Sequence, residues 1–353
     1  MSTHDESLGP EGYQVEAVER WVQENVPALK PPFEWERLPG GHSNLTYQIK
    51  DASGTLAVIR RPPQGELLPK AHDMSREWAL ISALGPTPVP VPAAFGFCES
   101  PDVTGAWFYI MGHIDGHPLY NSEDTELYVP EAKRRDMAFS FIDVLADLHS
   151  VDPDEVGLGE LGKRDSYVGR QLKTWYRSWM ASIEGAQLDD QRAHELQKFF
   201  LDNLPDQGPI RVVHGDYGLH NVLIGPTGKV DAVVDWEIST LGDPLADLAY
   251  ALNPWPDPTD SEPPLPEAAT APAGFPTRTE LAARYAERTG RDLSNLNYYV
   301  GFNRWKTACI VHGVYARYME GKKSSDDVDL DEMRDRITRS LELASEAVGR
   351  ISA

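Results

Sequence analysis

Apolar residues recur every three to four positions in several long stretches of the chain, which is the spacing of one face of an α-helix. The first such stretch spans residues 15–27, where four valines and Trp21 share one face and Pro27 marks the end of the predicted helix. A capping pattern, Thr277 followed three residues later by Glu280, predicts a further helix start. The helical spacing also predicts helices over residues 72–84, 131–149 and 293–319, two helices within residues 166–200, and one beginning at Asp247.

Short apolar runs bounded by turn residues predict β-strands in the first third of the chain. The sequence between the first two runs, Pro39-Gly40-Gly41, predicts a hairpin. A proline-rich segment, residues 86–92, follows as a rigid connector. The predicted strands cover residues 33–38, 45–49, 56–61, 95–98 and 107–111.

Polar residues are concentrated in one stretch, residues 213–247, between and after short apolar runs. A β-prone entry ends at Val213, and the run that begins after Asn221 is joined by a glycine-rich turn to a second run that ends at Asp235. The pattern predicts a loop, a β-hairpin and an acidic tip. The hairpin would bring Asn221 and Asp235, fourteen residues apart, to neighbouring strand ends, and Asp216 lies five residues before Asn221 on the same loop.

This group of side chains suits phosphoryl transfer from a magnesium nucleotide to a hydroxyl group. A hydroxyl nucleophile needs a carboxylate to orient it and accept its proton. Magnesium takes oxygen ligands, usually one or two from the protein and the rest from phosphates and water. We therefore predict Asp216 as the catalytic base, with Asn221 and Asp235 as metal ligands. The alternative is that these residues only form turns and helix caps.

Composition and charge argue against several classes of protein. The chain has 353 residues, of which 41% are hydrophobic and 25% charged, as expected for a globular protein with a sizeable core. The formal net charge of −22 argues against nucleic-acid binding, and the absence of an 18-residue apolar run argues against a membrane helix. The amino terminus lacks the pattern of a signal peptide. Cys98 and Cys309 lie in apolar surroundings and predict buried thiols in a cytoplasmic protein.

The residues His214-Gly215-Asp216 and Asn221 resemble the HxDxxxxN loop of the aminoglycoside phosphotransferase and choline kinase group, small-molecule kinases with a protein-kinase-like fold. Asp235-Trp236-Glu237 stands where that group has its metal-binding acidic tip, and Leu241–Ala249 matches the segment that usually follows. For Asp243 and Asp247, helix capping is an equally good interpretation.

The resemblance implies an α+β, two-lobed protein-kinase-like fold that uses ATP and Mg²⁺. A small N-terminal lobe with an antiparallel sheet and a leading helix would span residues 1–111 and bind the nucleotide. Residues 112–116 would form the hinge between the lobes. A larger, mostly helical lobe at 117–353 would carry catalysis and the acceptor site.

The resemblance also implies roles for individual residues. Arg60 stands where this fold has a phosphate-binding lysine, and Glu77 where it has the glutamate that pairs with that lysine; a solvent-facing Arg60, with Lys70 as the cation, and a solvated Glu77 are the alternatives. His214 would brace the loop, and Glu237 would be a second metal or acceptor contact. The remaining predicted nucleotide contacts are Gly40, Gly41, Ser43 and Asn44 in the first hairpin and Met111 and His113 at the hinge.

Four stretches, residues 61–72, 76–84, 275–293 and 298–321, resemble the phosphotransferases fused to, or encoded beside, acyl-CoA dehydrogenases. The resemblance implies a hydroxyacyl-CoA, hydroxy acid or aminoglycoside-like acceptor and a functional link to such a dehydrogenase. Lys306 and Arg317 could meet an anionic acceptor or be ordinary surface charges. Two other functions stay open: a nucleotide-binding pseudokinase or partner module without turnover, and acyl-CoA oxidation, which would require bound flavin.

Overall fold

In the computed structural model of the chain, residues 10–38, 44–64, 73–261, 263–322 and 328–351 are described. The amino-terminal part is a five-stranded antiparallel sheet with strand order β1-β2-β3-β5-β4. A helix precedes the sheet, and two further helices are inserted between its strands. The elements are α1 Val15–Asn25, β1 Glu34–Arg37, β2 Leu45–Lys50, β3 Leu56–Arg61, α2 Met74–Leu84, β4 Ala94–Cys98, α3 Pro101–Thr104 and β5 Phe108–Gly112.

The two faces of this sheet are covered by different helices, because successive side chains of a strand point to opposite faces. Ala57 and Ile59 of β3 pack in a cluster with Val18 and Val22 of α1. Val58 packs in the cluster that contains α2. Arg60 therefore shares the α2 side of β3 with Val58, as the sequence analysis expects. Arg61 lies on the other face, where its guanidinium donates to the carbonyl of Thr104 at 2.6 Å.

The rest of the chain is mostly helical. Two clusters of buried side chains lie in it, one shared with α2 and one formed around the long helix α10. The sequence analysis assigned no element to residues 330–351, which form the last helix. The helices are α4 Ser122–Tyr128, α5 Glu131–Leu148, α6 Tyr167–Ala186, α7 Gln191–Asp202, α8 Pro244–Leu252, α9 Arg278–Thr289, α10 Leu296–Met319 and α11 Leu330–Ile351.

The polar stretch folds as the sequence predicts, with one addition. The hairpin of β7 Val222–Ile224 and β8 Val230–Val233 pairs its strands antiparallel. Beyond the strands, the Val234 N–H donates to the Asn221 carbonyl at 3.0 Å, so Asn221 and Asp235 stand at neighbouring strand ends. The addition is β9, Thr240–Gly242, which pairs with β6, Arg211–Val213, and fixes the segment after Asp235 beside the entry to the loop.

One simpler expectation is met among the described residues. Cys98 and Cys309 are buried free thiols. No helix in the described ranges combines the length and the apolar composition that a membrane span needs.

Candidate active site

The Asp216 carboxylate lies on the loop between β6 and β7 and is about one-third exposed, at 35% of its side-chain area. It accepts hydrogen bonds from the Tyr250 hydroxyl and from Asn221 Nδ2 at 3.1 Å, and His220 Nε2 lies 3.4 Å away. Burial raises the pKa of Asp216, but the hydrogen bonds from His220 and Tyr250 outweigh it and hold the pKa below its usual value. Asp216 is therefore an ionised carboxylate with one side open to a ligand.

The buried carboxylate of Asp247 in α8 holds the loop that carries Asp216 through hydrogen bonds. Its two oxygens accept the backbone N–H groups of His214 at 2.8 Å and Gly215 at 2.9 Å. The same carboxylate contacts the His149 ring, whose Nε2 lies 3.2 Å from Asp247 Oδ2. The Nδ1 atom of His149 lies 2.7 Å from the Tyr285 hydroxyl. Gly215 has a φ of +85°, a conformation that favours glycine. Asp247 thus holds the backbone of the loop that carries Asp216. Asp243, in contrast, caps α8 by accepting the Leu245 N–H.

His214 makes the bracing hydrogen bonds that the sequence analysis expects. Its Nε2 donates to the Val234 carbonyl at 3.0 Å, and its Nδ1 accepts the Asp216 N–H at 3.3 Å. The two contacts require the neutral tautomer with the proton on Nε2, and burial lowers the pKa of His214 accordingly. Since the side chain is fully buried, it positions the loop and does not reach a substrate.

Three ionisable side chains, Arg60, Glu77 and Asp235, meet between the sheet, α2 and the hairpin. Arg60 donates to Asp235 Oδ1 at 2.9 Å and lies 3.4 Å from Glu77 Oε2, which also accepts the Tyr109 hydroxyl at 3.0 Å. Only 11% of the Arg60 side chain is exposed. Burial raises the pKa of Glu77, Arg60 opposes this, and the charges of Asp235 and Glu237 add to it. The predicted Arg60–Glu77 pair is present, and Arg60 also contacts Asp235.

The three predicted metal ligands fit Mg²⁺ by their chemistry. The Nδ2 atom of Asn221 donates hydrogen bonds to Asp216, and no described residue donates to the Oδ1 atom of Asn221. Asp235 is partly exposed and takes a φ of +65°, uncommon for a residue with a side chain. Glu237 is also partly exposed. An amide oxygen and two carboxylates are hard ligands, and Mg²⁺ needs only one or two from the protein when it also binds phosphates.

The structure describes three of the other predicted nucleotide contacts, Asn44, Met111 and His113. Gly40, Gly41 and Ser43 lie outside the described residues, as does the alternative cation, Lys70. Asn44 is buried at the start of β2 and Met111 is buried in the core beside α2, while His113 is partly exposed just after β5.

Sequence reasoning missed several residues that shape the site. Tyr250 donates to Asp216, and its position three residues after Asp247 on one helix face is the signal that could have found it. His220 lies four residues after Asp216. Arg76 of α2 donates to the carbonyls of Ser239 and of Leu161 and thereby ties α2 to the helical part of the chain, a long-range contact without a sequence signal.

Comparison with known proteins places this arrangement among the phosphotransferases. Residues 34–301 match the phosphotransferase enzyme family. The mouse acyl-CoA dehydrogenase family member 10 is 35% identical over 300 residues, which cover 83% of this chain but 27% of that protein. The chain thus spans about a quarter of that relative's length.

Solved structures agree in fold. A putative aminoglycoside phosphotransferase from Ralstonia eutropha is 28% identical, with a TM-score of 0.82 over 96% of this chain and 99% of the other. Choline kinase from Cryptosporidium parvum, 12% identical, shares the fold with a TM-score of 0.63 over 95% and 96% of the two chains. The predicted two-lobed, kinase-like fold and the resemblance on which it rested are confirmed.

Proposed function

The chain belongs to the phosphotransferase enzyme family, and on that premise we propose that it transfers the γ-phosphoryl group of ATP to a hydroxyl group of a small molecule. The observation that carries the proposal is the state of Asp216. Its carboxylate is ionised and partly open, and it lies on a loop held by buried hydrogen bonds. A carboxylate in that state can orient an acceptor hydroxyl and take its proton as the new O–P bond forms.

The phosphate side of the site supports the same reaction. Arg60, held by Glu77, would bind the phosphates of the nucleotide through its planar, bidentate guanidinium. Asn221, Asp235 and Glu237 would hold Mg²⁺, which neutralises phosphate charge when bound. Catalysis would then consist of positioning and charge stabilisation, without a covalent enzyme intermediate. The nucleotide and hinge roles of Gly40, Gly41, Ser43, Asn44, Met111 and His113, and a cytoplasmic location, stay predictions.

The acceptor is proposed from the relatives. Acyl-CoA dehydrogenase names belong to proteins more than twice the length of this chain, so the name does not transfer dehydrogenase activity to it. The names do favour a hydroxyacyl-CoA or a hydroxy acid over an aminoglycoside, together with a functional link to a dehydrogenase of that class.

A second candidate is a nucleotide-binding module without turnover. The observation that favours it is Arg60 at the position of the usual lysine, in an ion pair with the proposed metal ligand Asp235. Magnesium would have to compete with that guanidinium for the carboxylate.

The test is acceptor-dependent ADP release with magnesium and ATP by the wild type and by Asp216→Asn, against hydroxyacyl-CoAs, hydroxy acids, aminoglycosides and choline. We expect turnover with one acceptor class and a loss of about 10²- to 10⁴-fold in the variant, with nucleotide affinity retained.

Magnesium–ATP binding that is equal in both proteins, with no acceptor turned over, would support the binding module. A chain that binds no nucleotide would overturn both. A visible spectrum serves as the control for acyl-CoA oxidation, because that reaction predicts flavin absorption bands.

A further inference from the structure

Helix α10 presents one face to α8, and that face leads toward the catalytic loop. The Tyr299 hydroxyl donates to Asp243 Oδ2 at 2.7 Å, and Asn303 Nδ2 donates to the Ala246 carbonyl at 2.8 Å. The contacts run in the same direction along both helices, so the next turn of α10 lies beside the turn of α8 that carries Tyr250, whose hydroxyl donates to Asp216. Lys306 stands three residues after Asn303 and seven after Tyr299, on the same face.

The Lys306 side chain is partly buried, and no described residue forms a hydrogen bond or ion pair with its ammonium group. Burial lowers the pKa of Lys306, while the charges of Asp247 and Asp216 oppose this. A lysine that is withdrawn from water without a partner is destabilising, because its charge loses hydration and gains nothing in exchange. Such groups are found at sites where a ligand supplies the missing partner.

The charges of two carboxylates act on Lys306, and only one of these carboxylates has room for a further hydrogen-bond partner. Asp247 accepts two backbone N–H groups and contacts His149. Asp216 has an exposed side from which an acceptor hydroxyl would approach. The turn of α10 that carries Lys306 therefore lies beside the acceptor side of the site.

We propose that Lys306 is a positioning residue that binds an anionic group of the acceptor, so that the substrate is a hydroxy compound with a carboxylate or phosphate within reach of the reacting hydroxyl. The inference rests on the proposed function, since it names the acceptor class of the same site. The ammonium group would fix the acceptor by a charge-assisted hydrogen bond while Asp216 takes the hydroxyl proton. Cationic acceptors such as aminoglycosides and choline would be repelled.

The test compares wild type, Lys306→Met, Lys306→Arg and Arg317→Met. Arg317, the other cation that the sequence analysis singled out on α10, is an exposed surface charge three turns beyond Lys306 and serves as the matched control. The acceptors are a short hydroxy acid, its uncharged methyl ester and its coenzyme A thioester, each with magnesium and ATP. We expect Lys306→Met to raise KM for the anionic acceptor about 10- to 100-fold, with KM for ATP and turnover of the ester unchanged. Lys306→Arg should restore most of the affinity, and Arg317→Met should behave as wild type.

The three acceptors separate the possible anions. An effect on the free acid assigns Lys306 to a carboxylate, and an effect on the thioester alone assigns it to the phosphates of coenzyme A. An equal loss with the uncharged ester would overturn the proposal, because it would mean a structural role. So would a wild type that prefers the ester, choline or an aminoglycoside.

Calorimetric binding of the same acceptors with magnesium and AMP-PNP keeps this test separate from that of the proposed function. Loss of acid or thioester binding in Lys306→Met would support the inference even if the wild type transfers no phosphoryl group. Equal binding by wild type and Lys306→Met, or no binding of either anion by the wild type, would overturn it.

Discussion

The two sides of the candidate site are built differently. On the acceptor side, Asp216 accepts hydrogen bonds from Tyr250 and Asn221, and Asp247 holds its loop from within the helical part of the chain. On the phosphate side, Arg60 and Asp235 come from different parts of the chain, 175 residues apart, and meet as ionised groups. Hydrogen bonds to a fixed backbone preserve one geometry, whereas an ion pair can exchange its partner for another charge. We infer that the acceptor side is preorganised and the phosphate side adjusts to its ligand.

The largest effect is expected for Asp247→Ala, which tests whether the acceptor side is preorganised. It leaves the buried N–H groups of His214 and Gly215 without acceptors, and we expect a loss of about 3 kcal/mol in the free energy of unfolding. A displaced loop should also lower kcat by about 100-fold or more. Denaturant unfolding and ADP release measure the two effects. The exposed Asp331→Ala in α11 is the control and should stay within about 0.5 kcal/mol of wild type. A stable, active Asp247→Ala protein would contradict the preorganised loop.

Arg60→Ala tests the phosphate side. We expect KM for ATP to rise about 10- to 100-fold because a charged contact to phosphate is lost. Stability should fall by about 2 kcal/mol, because the buried Glu77 loses its counter-charge. Arg60→Lys keeps the positive charge and should recover most of the affinity for ATP. If Arg60→Ala instead leaves nucleotide affinity intact, the phosphate-binding cation lies elsewhere.

A smaller effect is expected for Tyr250→Phe, which removes one donor to Asp216 and little else. Since that hydrogen bond lowers the pKa of Asp216, its loss raises the pKa, and the base becomes protonated at a higher pH than in wild type. We expect kcat to fall about three- to tenfold and the acid limb of the pH–rate profile to move upward. A profile that does not move would mean that the Tyr250 hydroxyl does not act on the base.

The smallest expected effect is a dependence of stability on pH. Burial lowers the pKa values of His149 and His312 in the folded chain, so protonation favours unfolding. Their contribution to stability is complete above the unfolded value of about 6.5 and is lost as pH falls through the folded values. The unfolding temperature should therefore drop by a few degrees between about pH 7 and 5.5. A flat unfolding temperature across that window would indicate that both imidazoles are accessible to protons.

Most of the architecture could be predicted because it depends on local patterns. The period-2 alternation of β3 places Val58 and Arg60 on one face, and the glycine turn after Ile224 brings Asn221 and Asp235 together. Motif spacing singled out Asp216. Helix α11 was left without a prediction, and strand β9 was not recognised, because a three-residue strand forms only when a partner strand is present.

The sequence by itself determined which side chains could do the chemistry, because Asp216, Asn221 and Asp235 are local to one loop and hairpin. Only the tertiary structure decided their surroundings: that Tyr250 donates to Asp216, that Asp247 supports the loop instead of capping a helix, and that Lys306 has no partner among the described residues. The physical reason is that spacing sets local geometry, whereas burial and the partners of a charge depend on packing between elements far apart in the chain.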